Sequence, residues 1–580
     1  MVADAPISPP ALATSKRTLD TPGMRLGHVG IRNYRGIRSL DLPIDRVTTL
    51  IGENAYGKSN LLDALLACLG PGAGDGQFAF QIEDFGDATG DPDPPIEIEL
   101  GFRESDEGEW DDACCDAIRP HIYRGRLGDR RLSYRIVTSA SADGAITTAT
   151  QFVDRNGQPI GPPSGPEATH LLRQRCPFLL LKADRYFTRP SRAPAPGTRP
   201  LSLEARLAAE IGEAYQALVS PHEAMEESTL HGGLSAARAY IDRFGGERLR
   251  DRIRHFLPAP PHSERGTGVS LAVRSMALML VLGALLEARA VQTFGEHSYP
   301  ILAIEDAEAH LHPIMLASVA ALIQAIPAQK LITTNSGELL SMLPLRSIRR
   351  LLRAEGRTLA HRLERETLGE GELRRVSYHV KANRGTSLFA RAWLLVEGET
   401  EFWLLPQMAE LLGHDLALEG IRIMEFAQCG VEPLIKMADD LGIGWHLLAD
   451  GDSAGRGYAL IAGGLLRGRP AERHITELSE RDLEHCLWNS GYAEVFRDAV
   501  SVTMPRRAER RPKIANPTPT IERAIRARTK PGMAVEVAEA ARTRGADGVP
   551  QPLRLAIEAV TSIARRCAGG AASETVPRTP

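Results

Sequence analysis

The sequence lacks the features that mark secreted, membrane-spanning and disulfide-stapled proteins. Its 580 residues include only seven cysteines, and none of them forms a CxxC pair, so we expect reduced thiols in a cytosolic environment. No segment approaches the roughly 18 consecutive apolar residues of a membrane-spanning helix, and the N-terminus has no apolar signal-peptide core. Together these absences predict a cytoplasmic protein without a membrane partner.

An excess of charge of one sign is also missing. The net charge is -4, with 24% charged and 43% hydrophobic residues, which is typical of a soluble globular protein. Any DNA site must therefore be a local basic patch. The densest basic run is Arg506–Lys513, and Arg523, Arg526 and Arg528 follow it. Such a run could bind the phosphate backbone of DNA without recognising its sequence, but it is equally typical of a charged surface exposed to solvent.

The most specific motif is a phosphate-binding loop. The segment Gly52-Glu-Asn-Ala-Tyr-Gly57-Lys58-Ser59 fits GxxxxGK[ST], between a predicted strand, Arg46–Ile51, and a predicted helix, Leu61–Leu69. Glycines allow backbone N–H groups to face phosphates, Lys58 reaches the outer phosphates, and the Ser59 hydroxyl holds Mg²⁺. The residues of this loop expected to bind ATP are Gly52, Asn54, Gly57, Lys58, Ser59 and Asn60.

A second acidic motif completes the predicted ATPase. The apolar strand Pro300–Ile304 leads into Glu305, expected to bind the Mg²⁺ shell, and Asp306, expected to orient the attacking water. Roughly 250 residues separate it from the phosphate loop. That spacing suits an ABC or SMC-like head interrupted by arms, and residues 200–260 have the composition and periodicity of helical arms.

A second alternation of strands and helices begins near residue 390 and predicts a parallel α/β unit. Glu397 follows one predicted strand, Trp393–Val396, and Asp450 and Asp452 follow another, Trp445–Ala449. Because carboxyl ends of parallel strands meet at one edge, these acids should converge. Glu401 lies one helical turn beyond Glu397. Clustered carboxylates favour bound Mg²⁺ or Mn²⁺, and two such ions can serve phosphodiester cleavage.

These patterns divide the chain into two α/β domains between short tails. The predicted divisions are a disordered tail at 1–23, an ABC-type ATPase at 24–345, a linker at 346–389, the parallel α/β domain with the clustered acids at 390–565 and a disordered tail at 566–580.

The motifs, in this order, resemble the OLD (overcoming lysogenization defect) family of ATP-dependent nucleases. The segments that carry the resemblance are Ile31-Arg-Asn-Tyr-Arg35-Gly, Gly52–Asn60, Glu305-Asp-Ala-Glu-Ala-His-Leu-His-Pro313, Thr333-Thr-Asn335-Ser336, Leu394-Leu-Val-Glu397-Gly-Glu-Thr-Glu401 and Ala449-Asp450-Gly-Asp452-Ser-Ala-Gly455. The resemblance implies an ABC-type ATPase followed by a Toprim metal-nuclease domain.

The resemblance also implies further site residues and partners. Glu484, in Arg481-Asp-Leu-Glu484-His, matches another Toprim acid and metal ligand, and Lys530 matches a lysine near the scissile phosphate. Asn335 stands at the ATPase switch position. The implied cofactors are ATP and Mg²⁺ or Mn²⁺, and the implied partner is DNA. We expect a homodimer or higher homo-oligomer, with a helicase-like or other protein as a further candidate partner, in phage defence or DNA repair.

Three departures from the family pattern predict slow ATP turnover. Asp306 stands where Glu is usual, Asn335 stands where ABC ATPases usually carry His, and no LSGGQ signature is recognisable, with Gly266–Ser270 as the best candidate. His310 and His312 suggest either a metal pair or, by resemblance, an ATPase dimer contact.

Two rival interpretations remain. An SMC- or RecF-like ATP-gated DNA clamp with an inactive Toprim domain would keep the phosphate loop but not cleave, and the intact acids disfavour it. A topoisomerase or primase would share the acids, but no further domain carries a nucleophilic tyrosine and no zinc-ligand cluster is present.

Overall fold

A computed structural model shows the architecture of the chain. It describes residues 24–70, 78, 80–85, 94–104, 107–111, 115–125, 128–141, 145–161, 166–181, 299–309, 311, 313–326, 328–383, 385–501 and 516–568. Several predicted features lie outside these residues: the tail at 1–23, the arms at 200–260, the signature candidate at 266–270, His310, His312 and the basic run at 506–513.

An antiparallel sheet opens the fold. Its order is β2-β1-β4-β6-β5, and β7 pairs with β6. The strands are β1 (Arg25–Tyr34), β2 (Ile37–Pro43), β4 (Ile96–Arg103), β5 (Tyr123–Arg124), β6 (Arg130–Ala140) and β7 (Ile146–Val153). Alternate residues of β4 are buried, as expected for a strand with one face on the core. This sheet therefore packs on one side only.

A second sheet, here called the P-loop sheet, has the order β12-β11-β3-β10-β9-β8. Its strands are parallel except that β12 runs antiparallel to β11. The strands are β3 (Val47–Ile51), β8 (Phe178–Leu181), β9 (Ile301–Ile304), β10 (Gln329–Thr333), β11 (Ile348–Ala354) and β12 (Arg357–His361). The helices are α1 (Lys58–Leu69), α2 (Pro166–Arg175), α3 (Pro313–Ala325) and α4 (Gly337–Met342). All four residues of β9 are buried, which matches a parallel strand covered on both faces.

The segment 346–389, predicted as a linker, is folded structure. It contains β11, β12, helix α5 (Glu370–Asn383) and a 3-10 turn at Gly385–Phe389. Two of its arginines are buried: Arg349 donates to Asp45, and Arg350 donates to backbone carbonyls. Buried guanidinium groups that donate to several acceptors are compatible with a sheet. The domain boundaries themselves stay a prediction.

A third sheet, here called the carboxylate sheet, has the order β14-β13-β15-β16, and all its pairings are parallel. Its strands are β13 (Ala392–Val396), β14 (Ile421–Glu425), β15 (Gly444–Ala449) and β16 (Ile475–Glu477). The helices that follow α5 are α6 (Glu399–Leu411), α7 (Val431–Asp440), α8 (Ser453–Gly464), α9 (Ala471–His474), α10 (Leu483–Leu487), α11 (Ala493–Ser501), α12 (Thr518–Arg528), α13 (Lys530–Arg542) and α14 (Gln551–Ala568). The predicted mixed α/β class with a second parallel unit is confirmed.

The carboxylate sheet has a core on each face. One face packs against helices α6, α11, α12, α13 and α14, and the other joins α5 and α7 to the edge of the P-loop sheet. Helix α14 extends to Ala568, so the first residues of the tail predicted at 566–580 are helical. No described helix combines the length and hydrophobicity needed to span a membrane. Every cysteine that the structure describes is a free thiol.

Candidate nucleotide and carboxylate sites

The predicted nucleotide residues meet at the carboxyl edge of the P-loop sheet. Strand β10 lies between β3 and β9, so the loop after β10 separates the phosphate loop from the acids after β9. Parallel pairing brings the three strand ends to the same edge. Asn335 and Lys58 are therefore neighbours although 277 residues separate them.

The conformation of the phosphate loop requires its glycines. Gly57 has φ +89° and is the residue before α1, whose first turn contains Lys58, Ser59 and Asn60. Gly52 has φ +144°, and a Cβ there would lie 2.7 Å from the carbonyl oxygen of Leu351. Glycine alone adopts such backbone angles readily. The helix begins three residues earlier than predicted, which leaves the unpaired N–H groups of its first turn beside Lys58.

Lys58 is held by neutral oxygens. Its side chain is buried, and Nζ donates to the Gly52 carbonyl, to Asn335 Oδ1 at 3.1 Å and to Asn54 Oδ1 at 3.5 Å. Burial lowers the pKa of Lys58, while the nearby charges of Asp306, Glu308 and Glu53 oppose that shift. The structure thus places a desolvated cation in the loop, where an anionic ligand would gain most from it.

A hydrogen-bonded network joins the acids after β9 to the loop after β10. Asp306 has φ +43°; its N–H donates to Thr333 Oγ1 at 2.9 Å, and Asn335 Nδ2 donates to its carboxylate at 3.4 Å. Glu308 accepts from the Thr334 hydroxyl at 2.8 Å and from the Asn335 N–H at 2.7 Å. Glu305 is half-buried at the end of β9, and its N–H donates to Leu181.

The predicted carboxylates form a second cluster at the carboxyl edge of the carboxylate sheet. Glu397 directly follows β13, and Asp450 directly follows β15, the neighbouring strand. Glu401 is buried in the first turn of α6, and Glu484 is buried in α10. Asp452 caps α8, accepting from the Gly455 N–H at 2.7 Å, so one of its oxygens already has a structural role.

Burial and the proximity of other acids raise the pKa values of several carboxylates in this cluster. Burial, reinforced by Glu401, Glu397 and other acids, raises the pKa of Asp450 to about 8. Burial, with Glu484 adding to it, raises the pKa of Glu401 to about 7. Burial and the charge of Asp452 raise the pKa of Glu397 as well. Carboxylates so placed are stabilised by an added positive charge.

One lysine opposes this negative charge. Lys530 Nζ lies 3.6 Å from Glu484 Oε1, and Thr400 donates to the same oxygen at 2.8 Å. Burial alone would lower the pKa of Lys530, but Glu484, Glu401 and Asp450 outweigh it and raise that pKa. Lys530 is half exposed, so its ammonium group faces both the acids and solvent.

The donor set suits a hard divalent cation. Five carboxylates offer oxygen ligands of the kind that Mg²⁺ and Mn²⁺ prefer, and Glu397 Oε2 is buried without a hydrogen-bond partner. An orphaned buried carboxylate oxygen is costly unless something binds it. Among the described residues, no three Asp, Glu, His or Cys side chains are close enough together to hold an ion as they stand. The donors therefore fit a cation chemically, and side-chain rotation would have to bring them together.

Two glycines determine the path of the Asp450-Gly-Asp452 loop. A Cβ on Gly451 would overlap the carbonyl oxygens of Leu478 and Glu480, and a Cβ on Gly455 would overlap that of Asp450. The Gly451 N–H also donates to Glu480 at 3.0 Å. The loop is thus packed against the segment after β16.

Several residues of the two sites were not predicted from the sequence. Those that the structure adds are Glu53, Glu308, Thr333, Thr334, Thr400, Gly451, Gly455 and Asp482, while Arg391 lies outside both sites in contact with Glu53. Asp482 caps α10 and adds to the charge that raises the pKa of Asp450. Glu308, Thr400 and Asp482 lie inside motifs already recognised, so their polarity beside predicted site residues was the available signal. Arg391 gave no such signal, because its partner is 338 residues away.

Comparisons with known proteins cover both parts of the chain. A family model described as "Protein of unknown function (DUF2813)" matches residues 24–387, and one described as "Overcoming lysogenization defect protein-like, TOPRIM domain" matches residues 388–452. The second match includes Glu397, Glu401, Asp450 and Asp452 and ends before Glu484 and Lys530.

A curated relative matches over nearly the whole length. It is the uncharacterized protein YbjD of Escherichia coli (strain K12), 35% identical over 565 residues, covering 93% of this chain and 99% of that protein.

Solved structures give only partial superpositions. The C-terminal region of the Burkholderia pseudomallei OLD protein is 24% identical, covers 30% of this chain and 99% of its own, and has a TM-score of 0.26. The SMC head domain from Thermotoga maritima is 13% identical, covers 59% and 99%, and has a TM-score of 0.30. Because these scores are low, the assignment depends on the family models and the Escherichia coli relative. The chain belongs to the DUF2813 family, and its residues 388–452 match an OLD-like Toprim domain.

Proposed function

We infer that the protein is an ATP-binding and ATP-hydrolysing, divalent-metal-dependent DNA endonuclease that acts in phage defence or DNA repair. Membership of the OLD-type ATPase–Toprim family supports a nuclease-type function in general. The observation that carries the specific proposal is the crowding of Glu397, Glu401, Asp450 and Glu484 around a region where two of their pKa values are raised to about 7 and 8. Such a cluster has no evident structural use.

The residues of the carboxylate site divide into metal ligands and residues that support them. Glu397, Glu401, Asp450, Asp452 and Glu484 are the residues that would hold Mg²⁺ or Mn²⁺, which supply water activation and leaving-group stabilisation when bound. Thr400 fixes the orientation of Glu484 through its 2.8 Å hydrogen bond. Lys530, half exposed beside Glu484, is placed to neutralise charge on a phosphate that approaches from solvent.

The exposed arginines beside Lys530 support DNA as the substrate. Arg523, Arg526 and Arg528 lie on α12, which ends directly before Lys530, and all three are exposed. Arg526 forms a 3.7 Å pair with Glu522 at the surface, and Arg528 lies 2.9 Å from Glu536. Weak surface pairs of this kind are readily exchanged for phosphate contacts.

The nucleotide site supports control by ATP within a dimer. A desolvated Lys58 in a complete phosphate loop predicts ATP binding, and Asp306 with Asn335 predicts slow hydrolysis. The chain has one phosphate loop, and ABC-type heads enclose ATP between two copies, so the active unit is a homodimer or larger. Light scattering with and without ATP tests this directly, and a strictly monomeric protein would exclude the arrangement.

The decisive experiment is cleavage of supercoiled and linear DNA by the purified full-length protein. Reactions contain Mg²⁺, Mn²⁺ or a chelator, each with and without ATP, and Asp450→Ala serves as the inactive control. We expect nicked or linear product that requires the metal and is lost in the variant.

An ATP-gated clamp is the second candidate. It is favoured by the lack of a preformed ion-binding group among the described residues. Wild-type protein that retains DNA in the presence of ATP, yet cuts with neither metal, would replace the nuclease by this clamp.

A further inference from the structure

An ion pair joins the phosphate loop to the carboxylate sheet. Arg391 Nη2 lies 2.9 Å from Glu53 Oε1, and Nε lies 3.3 Å from the same oxygen. Glu53 is the second residue of the phosphate loop, whereas Arg391 directly precedes β13, the strand that ends at Glu397. A side chain inside the nucleotide loop therefore touches the start of a strand that carries a predicted cleavage residue.

A second contact beside it is rigid. Arg350 is fully buried on β11, where it pairs in register with Ile51, the residue before the phosphate loop. Its guanidinium donates to Leu441 at 3.0 Å, Gly442 at 2.7 Å and Ala390 at 2.7 Å. These carbonyls lie just before β15 and β13, so one guanidinium group holds the starting ends of the two acid-bearing strands against the P-loop sheet.

The two contacts differ in how easily they can change. Arg350 donates to three backbone carbonyls, and breaking these hydrogen bonds would leave a buried charge without partners. The Glu53–Arg391 pair is 50% and 36% exposed, so it can open at small cost. Glu53 also lies close enough to Lys58 to affect its charge, which means that phosphates bound at Lys58 will repel Glu53.

We propose that the Glu53–Arg391 pair couples nucleotide occupancy to the carboxylate site, with Arg350 as the fixed pivot. Bound phosphate changes the electrostatic environment of Glu53 and therefore the attraction between Glu53 and Arg391. Strand β13, which follows Arg391, then moves relative to Arg350 and changes the position of Glu397. Arg391 is a positioning residue in this scheme, because it acts through Glu53 and through strand β13. The link to cleavage rests on the proposed nuclease function.

Two measurements on the full-length protein test the coupling. The first is the ratio of DNA cleavage rates with and without a non-hydrolysable ATP analogue in Mn²⁺. The second is hydrogen exchange in peptides covering 392–397 with and without the analogue, which needs no cleavage at all. Wild type is compared with Arg391→Gln, Glu53→Gln and the double variant. Arg422→Gln is the matched control, since Arg422 is exposed on the neighbouring strand β14 and pairs in register with Trp393.

We expect the analogue to change exchange at 392–397 in wild type and in Arg422→Gln, and not in Arg391→Gln. The cleavage ratio should move towards one in Arg391→Gln, while its rate without nucleotide stays near wild type. Analogue affinity should fall about 1.5- to 5-fold, the range of an exposed ion pair, and the double variant should show no further loss of response.

Several outcomes would overturn the coupling. They are an unchanged nucleotide response in Arg391→Gln, the same loss in Arg422→Gln, and no exchange response in wild type. Wild type that fails to cut DNA would instead refute the nuclease proposal, and the exchange measurement would still decide on the coupling.

Discussion

The two sites of this chain deal with charge in opposite ways. In the nucleotide site, the buried Lys58 already has three neutral oxygen partners, and Asp306 and Glu308 accept from hydroxyl and amide groups. In the carboxylate site, five acids face one half-exposed lysine, and Glu397 retains an unpartnered buried oxygen. Both lie at carboxyl edges of parallel sheets, so topology alone does not produce the difference.

The difference shows which ligand each site needs. Neutral amide partners hold Lys58 in place without cancelling its charge, so it remains available to an anion. Crowded carboxylates keep their negative charge only if cations share it. The contacts that hold Lys58 are therefore formed before a phosphate binds, whereas the second site depends on cations to bring its ligands together.

The largest expected effect breaks the second site. Asp450→Asn keeps the size of the side chain and removes a charge, so metal-dependent DNA cleavage should fall at least about 100-fold, the scale of losing one strong electrostatic stabiliser. Cleavage in Mg²⁺ and Mn²⁺ measures it. Because the change relieves repulsion, the variant should unfold no more easily than wild type. Asp498→Asn, an exposed acid on α11, is the control, and wild-type cleavage by Asp450→Asn would refute the site.

The next largest effect is expected from a substitution that disrupts the nucleotide site and leaves the carboxylate site intact. Lys58→Ala removes the cation that faces the phosphates, so ATP affinity should fall about 10- to 100-fold, as for a lost hydrogen bond to a charged group. Calorimetry measures the affinity, and Lys436→Ala, a surface lysine paired with Glu432, is the control. Basal cleavage should persist if ATP only regulates access to the carboxylate site. An unchanged affinity would exclude the phosphate loop as the nucleotide site.

A steric test separates loop geometry from charge. Gly455→Ala places a methyl group against the Asp450 carbonyl, so the free energy of unfolding should fall by about 1–3 kcal/mol and cleavage should weaken. Gly457→Ala lies in the same helix with open space around the added methyl group. It should be neutral or stabilise by about 0.5–1 kcal/mol. Thermal unfolding and cleavage of both variants decide, and equal behaviour of the two would contradict the packing argument.

Sequence patterns predicted some features of these sites and not others. Glu397 and Asp450 could be placed together because each follows an apolar run that can only be a buried strand, and strand ends converge. The phosphate loop could be predicted because the spacing of its glycines, Lys58 and Ser59 fits the GxxxxGK[ST] motif. The folded segment 346–389 was predicted as a linker, and no local pattern could show that Arg349 and Arg350 are buried there, because acceptors such as Asp45 and Gly442 are remote in sequence. Gly451 was likewise not predicted to matter, because only the packed structure shows the carbonyls beside it.

The smallest expected effect sharpens the comparison within the nucleotide site. Asp306 carries the acid expected to orient the attacking water, yet its carboxylate accepts from Asn335, which also holds Lys58. Aspartate is one methylene shorter than glutamate, so its oxygens reach less far from the strand end towards a water molecule. We expect wild-type ATP turnover without DNA to stay below ~10 s⁻¹, the median for enzymes, and Asp306→Glu to raise it while ATP affinity stays near wild type. Steady-state phosphate release measures both proteins, and Glu338→Gln, in the first turn of α4, is the control. Faster turnover in wild type, or a slower Asp306→Glu variant with intact ATP binding, would show that Asp306 is not limited by its reach and that its contact with Asn335 sets the rate.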